Sequence, residues 1–220
     1  MKKILITNPL FQGLNEEEIS SILGCLNATT KKYEQNQILF SQGDRNFKSG
    51  IIISGNVVIL KEDFYGNRYI QASFSQGEIF AESVVCAGIE SLPVTIMATE
   101  NSEILFMDFN KILTTCAKSC QFHNKLIENT VALLAKKNLY LNNKIDILTQ
   151  RTTREKLLTY LSSVARQKQK NEFEIDLNRQ QLADYLCVER SALSAEIGNM
   201  CREGIIESKK GWFKLKVSGD

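Results

Sequence analysis

The chain has 220 residues, 43% of them hydrophobic and 24% charged, with a formal net charge of +2. This is a globular composition, with enough chain for one large or two modest domains. It contains no run of about 18 apolar residues, so no membrane span is expected, and the opening MKKILITNPLFQGL has too short an apolar run for a secretory signal. A cytoplasmic protein is therefore expected, with its six cysteines (Cys25, Cys86, Cys116, Cys120, Cys187 and Cys201) reduced. They show neither a CxxC pair nor zinc-ribbon spacing, so no metal site is expected. Charge is uneven: residues 151–220 hold 13 Lys and Arg against 10 Asp and Glu, +3, and the rest 14 against 15, −1. The C-terminal third can accept an anionic partner without demanding one.

In chain order, LNEEEISSILGCL has apolar residues at helical spacing (Ile19, Ile22, Leu23, Leu26), with Asn15 and Glu18 as its opening pair. From Tyr33 to Phe106 the period changes. Glycines at 43, 55, 66, 77 and 88 punctuate β-branched and aromatic runs such as GIIISGNVVIL and RYIQASF. Short strands at that spacing predict an antiparallel sandwich, jelly roll or barrel.

Beyond Phe109 the pattern is helical. Val131, Leu134, Asn138, Leu141, Ile145 and Leu148 form a heptad seam, which Ile127 extends. β-Branched residues at a and Leu at d favour two-stranded coiled coils, and one Asn at a sets register. A second stripe (Leu126, Leu133, Tyr140, Ile147) repeats every seven residues. A lone surface helix needs one apolar face. One stripe is expected to cover the β domain and the other to meet a second copy, the alternative being a helix buried within its own chain. Thr152 with Glu155 opens a further helix, TTREKLLTYLSSVARQ, and the polar run RQKQKNE reads as a loop.

The stretch QQLADYLCVERSALSAEIGNM predicts two short helices around a corner at Cys187 and Val188. Asn178 caps the first, from about Arg179 to Leu186. The second starts near Glu189, points Leu193, Ile197 and Met200 inward, and leaves Arg190, Ser191, Ser194 and Ala195 outward. This is a helix-turn-helix pattern. Small side chains let such a helix enter the major groove of double-stranded DNA, where Arg can grip guanine O6 and N7. GIIESKKGWFKLKV reads as a two-stranded wing presenting Lys209 and Lys210 to phosphates or, equally, as a solvated hairpin.

The order of these elements resembles the Crp/Fnr family of bacterial transcription regulators over almost the whole chain, with GEIFAES and LADYLCVERSALSAEI as the most specific stretches. The resemblance implies an α+β architecture. An N-terminal jelly-roll-like β-roll for an effector and a long dimerisation helix (about 110–148) occupy residues 1–148. A winged helix-turn-helix domain occupies residues 149–220. It also implies a homodimer on a near-palindromic operator, working with RNA polymerase, with Arg190 contacting bases and Gln180 contacting phosphate. The seam residues become the dimer interface. A second reading arginine common in the family is Ala195 here.

Cyclic-nucleotide members follow a glycine-glutamate stretch with Arg-Ser, which binds the cyclic phosphate. Here Glu82 is retained, but Leu92 and Pro93 stand at the Arg-Ser positions. Leu has no charge, Pro lacks hydroxyl and N–H, and a buried phosphate without a cation is costly. The expected effector, of unknown identity, is therefore not cAMP. Iron–sulfur relatives need clustered N-terminal cysteines, and Cys25 stands alone. A haem or thiol sensor built on His123, Cys116 and Cys120 is an alternative, as is a ligand-binding module acting on a protein partner. With one His, no GxSxG and no P-loop, no enzyme is expected.

Overall fold

The computed structural model describes residues 1–63, 65–113 and 121–216; Cys116 and Cys120 lie outside them. The chain divides into two compact units, Met1–Ala135 and Lys136–Asp220.

The first unit opens with α1 (Lys2–Thr7), a 3-10 turn (Pro9–Phe11) and α2 (Glu16–Cys25). Helix α2 starts at the expected capping box: the Glu18 N–H donates to Asn15 Oδ1 at 3.0 Å, and the Asn15 N–H donates to the Glu18 carboxylate at 2.7 Å. Then follow β1 (Thr29–Tyr33), β2 (Ile38–Phe40), β3 (Ser49–Ser54), β4 (Val57–Glu62), β5 (Arg68–Phe74), β6 (Ile79–Phe80), the short α3 (Glu82–Cys86), β7 (Thr95–Ala98) and β8 (Ser102–Met107). They form two antiparallel four-stranded sheets, β1-β8-β3-β6 and β2-β7-β4-β5. The expected β-roll is thus present.

Its strands sort side chains by their period of two. Ile52, Ile104 and Phe106 enter the roll interior with Phe80, Leu92 and Ile96. Ile51, Ile53, Leu105 and Met107 face the other way, beneath α1, α2 and the start of the long helix. Each such side chain contributes roughly 1.5–3 kcal/mol when fully buried. Gly50 lets β3 and β6 close: a Cβ there would lie 2.6 Å from the Phe80 ring and 2.8 Å from an Ile104 methyl.

After α4 (Asn110–Leu113) comes α5 (Gln121–Leu148), which runs on into the second unit. That unit adds α6 (Thr153–Lys168), β9 (Glu172–Glu174), α7 (Arg179–Leu186), α8 (Arg190–Arg202), β10 (Ile206–Lys209) and β11 (Trp212–Leu215). Its sheet is ordered β10-β11-β9. The run RQKQKNE is not simply a loop. Helix α6 continues through Lys168, and Glu172 begins β9, which pairs Phe173 with Phe213. One buried aromatic anchors this strand, so tertiary packing overrides local polarity. Ile147, Leu157, Leu161, Leu182, Leu193 and Phe213 belong to the core. No described helix is long and apolar enough to cross a membrane.

Candidate nucleic-acid interface and effector roll

Helix α7 is capped as the sequence predicts, with the Gln181 N–H donating to Asn178 Oδ1 at 3.0 Å. It ends at Cys187, whose φ of 51° lies in the left-handed region. That residue makes the corner, after which Glu189 occupies the N-cap of α8 without a side-chain cap bond. Leu193, Ile197 and Met200 are buried, while Arg190, Ser191, Ser194 and Ala195 are exposed. The exposed face therefore carries mostly small side chains, with Arg190 as the long cation at its N-terminal end.

A clamp absent from the sequence reading seats α8. Arg154 of α6 donates to Glu196 at 2.6 Å and to both oxygens of Glu203 at 2.7 Å. Two carboxylates raise the guanidinium pKa above its ordinary value, and Arg154 in turn holds the Glu203 carboxyl below its ordinary range. The partners lie 42 and 49 residues from Arg154, beyond the reach of any local motif.

At the wing, Lys209 pairs with Trp212 across a two-residue turn. Lys210 (φ 43°) and Gly211 (φ 89°) both take positive φ, the signature of a type I′ hairpin. The lysines are exposed. A cleft of about 400 Å³ lies between this turn and the start of α7, lined by Arg179, Lys210, Asn178 and Phe213 among others. Arg179 lies over the Phe213 ring at 5.9 Å. Gln180 is exposed and donates to Asp184 at 2.8 Å, so a phosphate contact requires it to release that carboxylate.

In the roll, Glu82 is 3% exposed and opens α3 directly after Ala81, whose φ is 60°. Burial, reinforced by the Glu82 charge, raises the Cys86 thiol pKa. Leu92 is 1% exposed and belongs to the interior core. Its N–H donates to the Asp44 carbonyl at 2.9 Å, and its carbonyl accepts from Gly43 at 2.8 Å. Pro93 is exposed. The expected pocket trio is thus divided between two buried residues and a surface one. Aromatic rings fill much of the interior: Phe40 and Phe80 lie 5.5 and 6.3 Å from Phe106, and Phe74 lies 6.4 Å from Phe80.

Along α5 the two stripes take different surroundings. Leu126 and Ile147 are buried, and Leu133 packs against the first unit's core, as does the seam residue Ile127. Tyr140 is exposed instead of covering a core. In the seam Val131, Leu141 and Ile145 are 59, 56 and 55% exposed, Leu134 and Leu148 are half-buried, and Asn138 accepts from Asn142 at 3.0 Å. His123 is buried, with Nε2 2.9 Å from the Ile112 carbonyl, so a local backbone contact occupies that nitrogen. Among the described residues no group of three His, Cys, Asp or Glu is placed to hold a metal ion.

A β-roll followed by a winged helix-turn-helix defines a class of regulators, and comparison with known proteins agrees. Residues 30–119 match the cyclic nucleotide-binding domain, and residues 155–217 match the Crp-like helix-turn-helix domain. The chain belongs to the Crp/Fnr family and is a Crp-like transcription regulator. It is 24% identical to the cyclic AMP receptor protein of Thermus thermophilus over 210 residues, covering 95% of this chain and 93% of that protein. In fold it is similar to the catabolite activator protein of Thermus thermophilus (TM-score 0.54, 23% identity, 95 and 94% of the two chains). It is also similar to the c-di-GMP responsive regulator CLP of Xanthomonas campestris (TM-score 0.56, 15% identity, 93 and 100%). A third such structure is DNR of Pseudomonas aeruginosa (TM-score 0.52, 18% identity, 98 and 93%).

Proposed function

We propose that this regulator is a cytoplasmic homodimer that reads a near-palindromic DNA operator and works with RNA polymerase, governed by an effector in the β-roll other than cAMP. Residues 1–148 carry the effector and association functions, and residues 149–220 carry DNA binding. The observation that carries the reading is the bare exposed face of α8, with Arg190, Ser191 and Ser194 outward. On it, Arg190 contacts guanine, the serines permit close approach, and Gln180, Lys209 and Lys210 meet phosphates. The exposed seam of α5 joins two copies. Operator selection from a random duplex pool tests this. Arg190→Ala should cost about 1–3 kcal/mol and relax one base pair per half-site. Lys210→Asn, which suits the positive φ of the turn, should weaken all sequences alike and flatten the salt dependence. Unchanged selectivity in Arg190→Ala would reject α8 as the reading helix.

The effector reading rests on Leu92 and Pro93. A cyclic nucleotide brings a full negative charge, which needs a cation or several donors in place of lost water. Leu92 instead supplies a buried apolar side chain, and Glu82 is itself buried nearby in sequence. Calorimetry with cAMP or cGMP should give no saturable heat at micromolar concentrations. Micromolar binding would overturn this half of the proposal.

A further inference from the structure

Within the second unit, the C-terminal part of α5 bears on the corner of the helix-turn-helix through three side chains. Tyr140, Lys144 and Ile147 follow at i, i+4 and i+7 and share one helix face. Ile147 is in the unit's core. The Lys144 Nζ donates to the main-chain carbonyl of Tyr185 and stands 3.3 Å from the centroid of its ring. Tyr185 is the penultimate residue of α7, so its carbonyl has no partner from the helix's own ladder. A cation there caps the helix and meets the negative end of its dipole. The ring is held in turn: Tyr160 of α6 lies 5.3 Å away, centroid to centroid. Burial pushes the Tyr185 phenol up to about 12 and lowers the Lys144 ammonium.

Ile147 anchors the helix by apolar burial, which is non-directional. The ammonium supplies direction instead: it fixes the end of α7 two residues before the turn into the reading helix. On the neighbouring face of the same helix, Leu141 and Ile145 are exposed. We propose that Lys144 is a positioning residue that ties the corner between α7 and α8 to the association helix, so that pairing of two copies sets the pose of both reading helices. This rests on the DNA-binding reading above.

The test compares Lys144→Met and Lys144→Arg in the full chain, with Arg190→Ala as a control. Preference for the selected operator over a scrambled duplex is the measured ratio, with the thermal midpoint and sedimentation recorded alongside. Met fills similar space but leaves the Tyr185 carbonyl without its cationic partner, so its midpoint should fall only slightly, with the chain still folded at the assay temperature. Its operator preference should nevertheless fall about tenfold, the scale of a coupling between sites, with association unchanged. Arg keeps a charged donor for the Tyr185 carbonyl and a cation over its ring, and should restore much of the preference. A Met variant with wild-type preference, or an Arg variant as poor as Met, overturns the inference while Arg190→Ala still supports the DNA reading. If the wild-type chain selects no operator, both fall together.

Discussion

Cys187 performs the work of a glycine without being one. It holds φ at 51° at the C-cap of α7, a region that costs a side-chain-bearing residue about 1–2 kcal/mol. Glycine would remove that cost but lose more conformational entropy on folding, about 0.5–1 kcal/mol. Cys187→Gly should therefore raise stability by about 0.5–1 kcal/mol, read as a higher urea midpoint at unchanged slope. A drop in midpoint would mean that the thiol, whose Sγ lies 3.7 Å from the Asp184 carbonyl, contributes more than the backbone loses. Residue-level legibility follows the same division. The caps at Asn15, Thr152 and Asn178 were readable because partner and cap are three residues apart. The left-handed Ala81 and Cys187 were not, since neither is a residue type that announces positive φ. The interior position of Leu92 was not readable either, because strand-to-turn contacts with Gly43 and Asp44 place it there.

Among the elements, α8 depends on a distant guanidinium. Arg154 holds the Glu203 carboxyl below its ordinary 4.5. The unfolded chain then binds that proton more readily than the folded one. The resulting stability is present above pH 4.5 and is lost as pH falls through the lowered folded value. Glu207 with Lys216 has the same sign. Glu203→Gln should thus be less stable than wild type at neutral pH, and the two should converge as acid protonates Glu203. Parallel unfolding curves across pH 3 to 7, still separated at the acid end, would show that the clamp stabilises by packing alone. Helices α7 and α8 were legible since each carries its own cap or amphipathic stripe, and the β-roll was legible from its regular glycines. Helix α1, the five-residue α3 and strand β9 were missed. Each is too short for a period to show, and each exists because one or two residues, Leu5, Val85 or Phe173, find a core.

For the molecule as a whole, the exposed stripe of α5 is the surface on which the proposed association rests. The residues that serve the chain's own cores, Leu126 and Ile147 above all, are spent within it. Val131, Leu141 and Ile145 remain more than half exposed on the seam, beside an exposed Asn138. Sequence spacing revealed both stripes, but only packing could show that Ile127 turns to its own core. It also identifies the clean test. Leu134 is half-buried, so charging it confounds folding with association, whereas Leu141 and Ile145 are exposed in the single chain. The double change Leu141→Asp with Ile145→Asp should leave the thermal unfolding of the isolated chain near wild type. It should place four like-facing charges in a two-stranded seam and abolish association. Loss of pairing should also remove the requirement for two half-sites one helical turn apart, roughly 10 base pairs centre to centre, leaving weak binding that no longer depends on their spacing. Sedimentation gives the first result, and duplexes with half-sites moved by about 5 base pairs, half a turn, give the second. A double variant that still sediments as a dimer, or a wild-type chain indifferent to half-site spacing, would mean that the copies meet through another surface and that the seam of α5 faces something else.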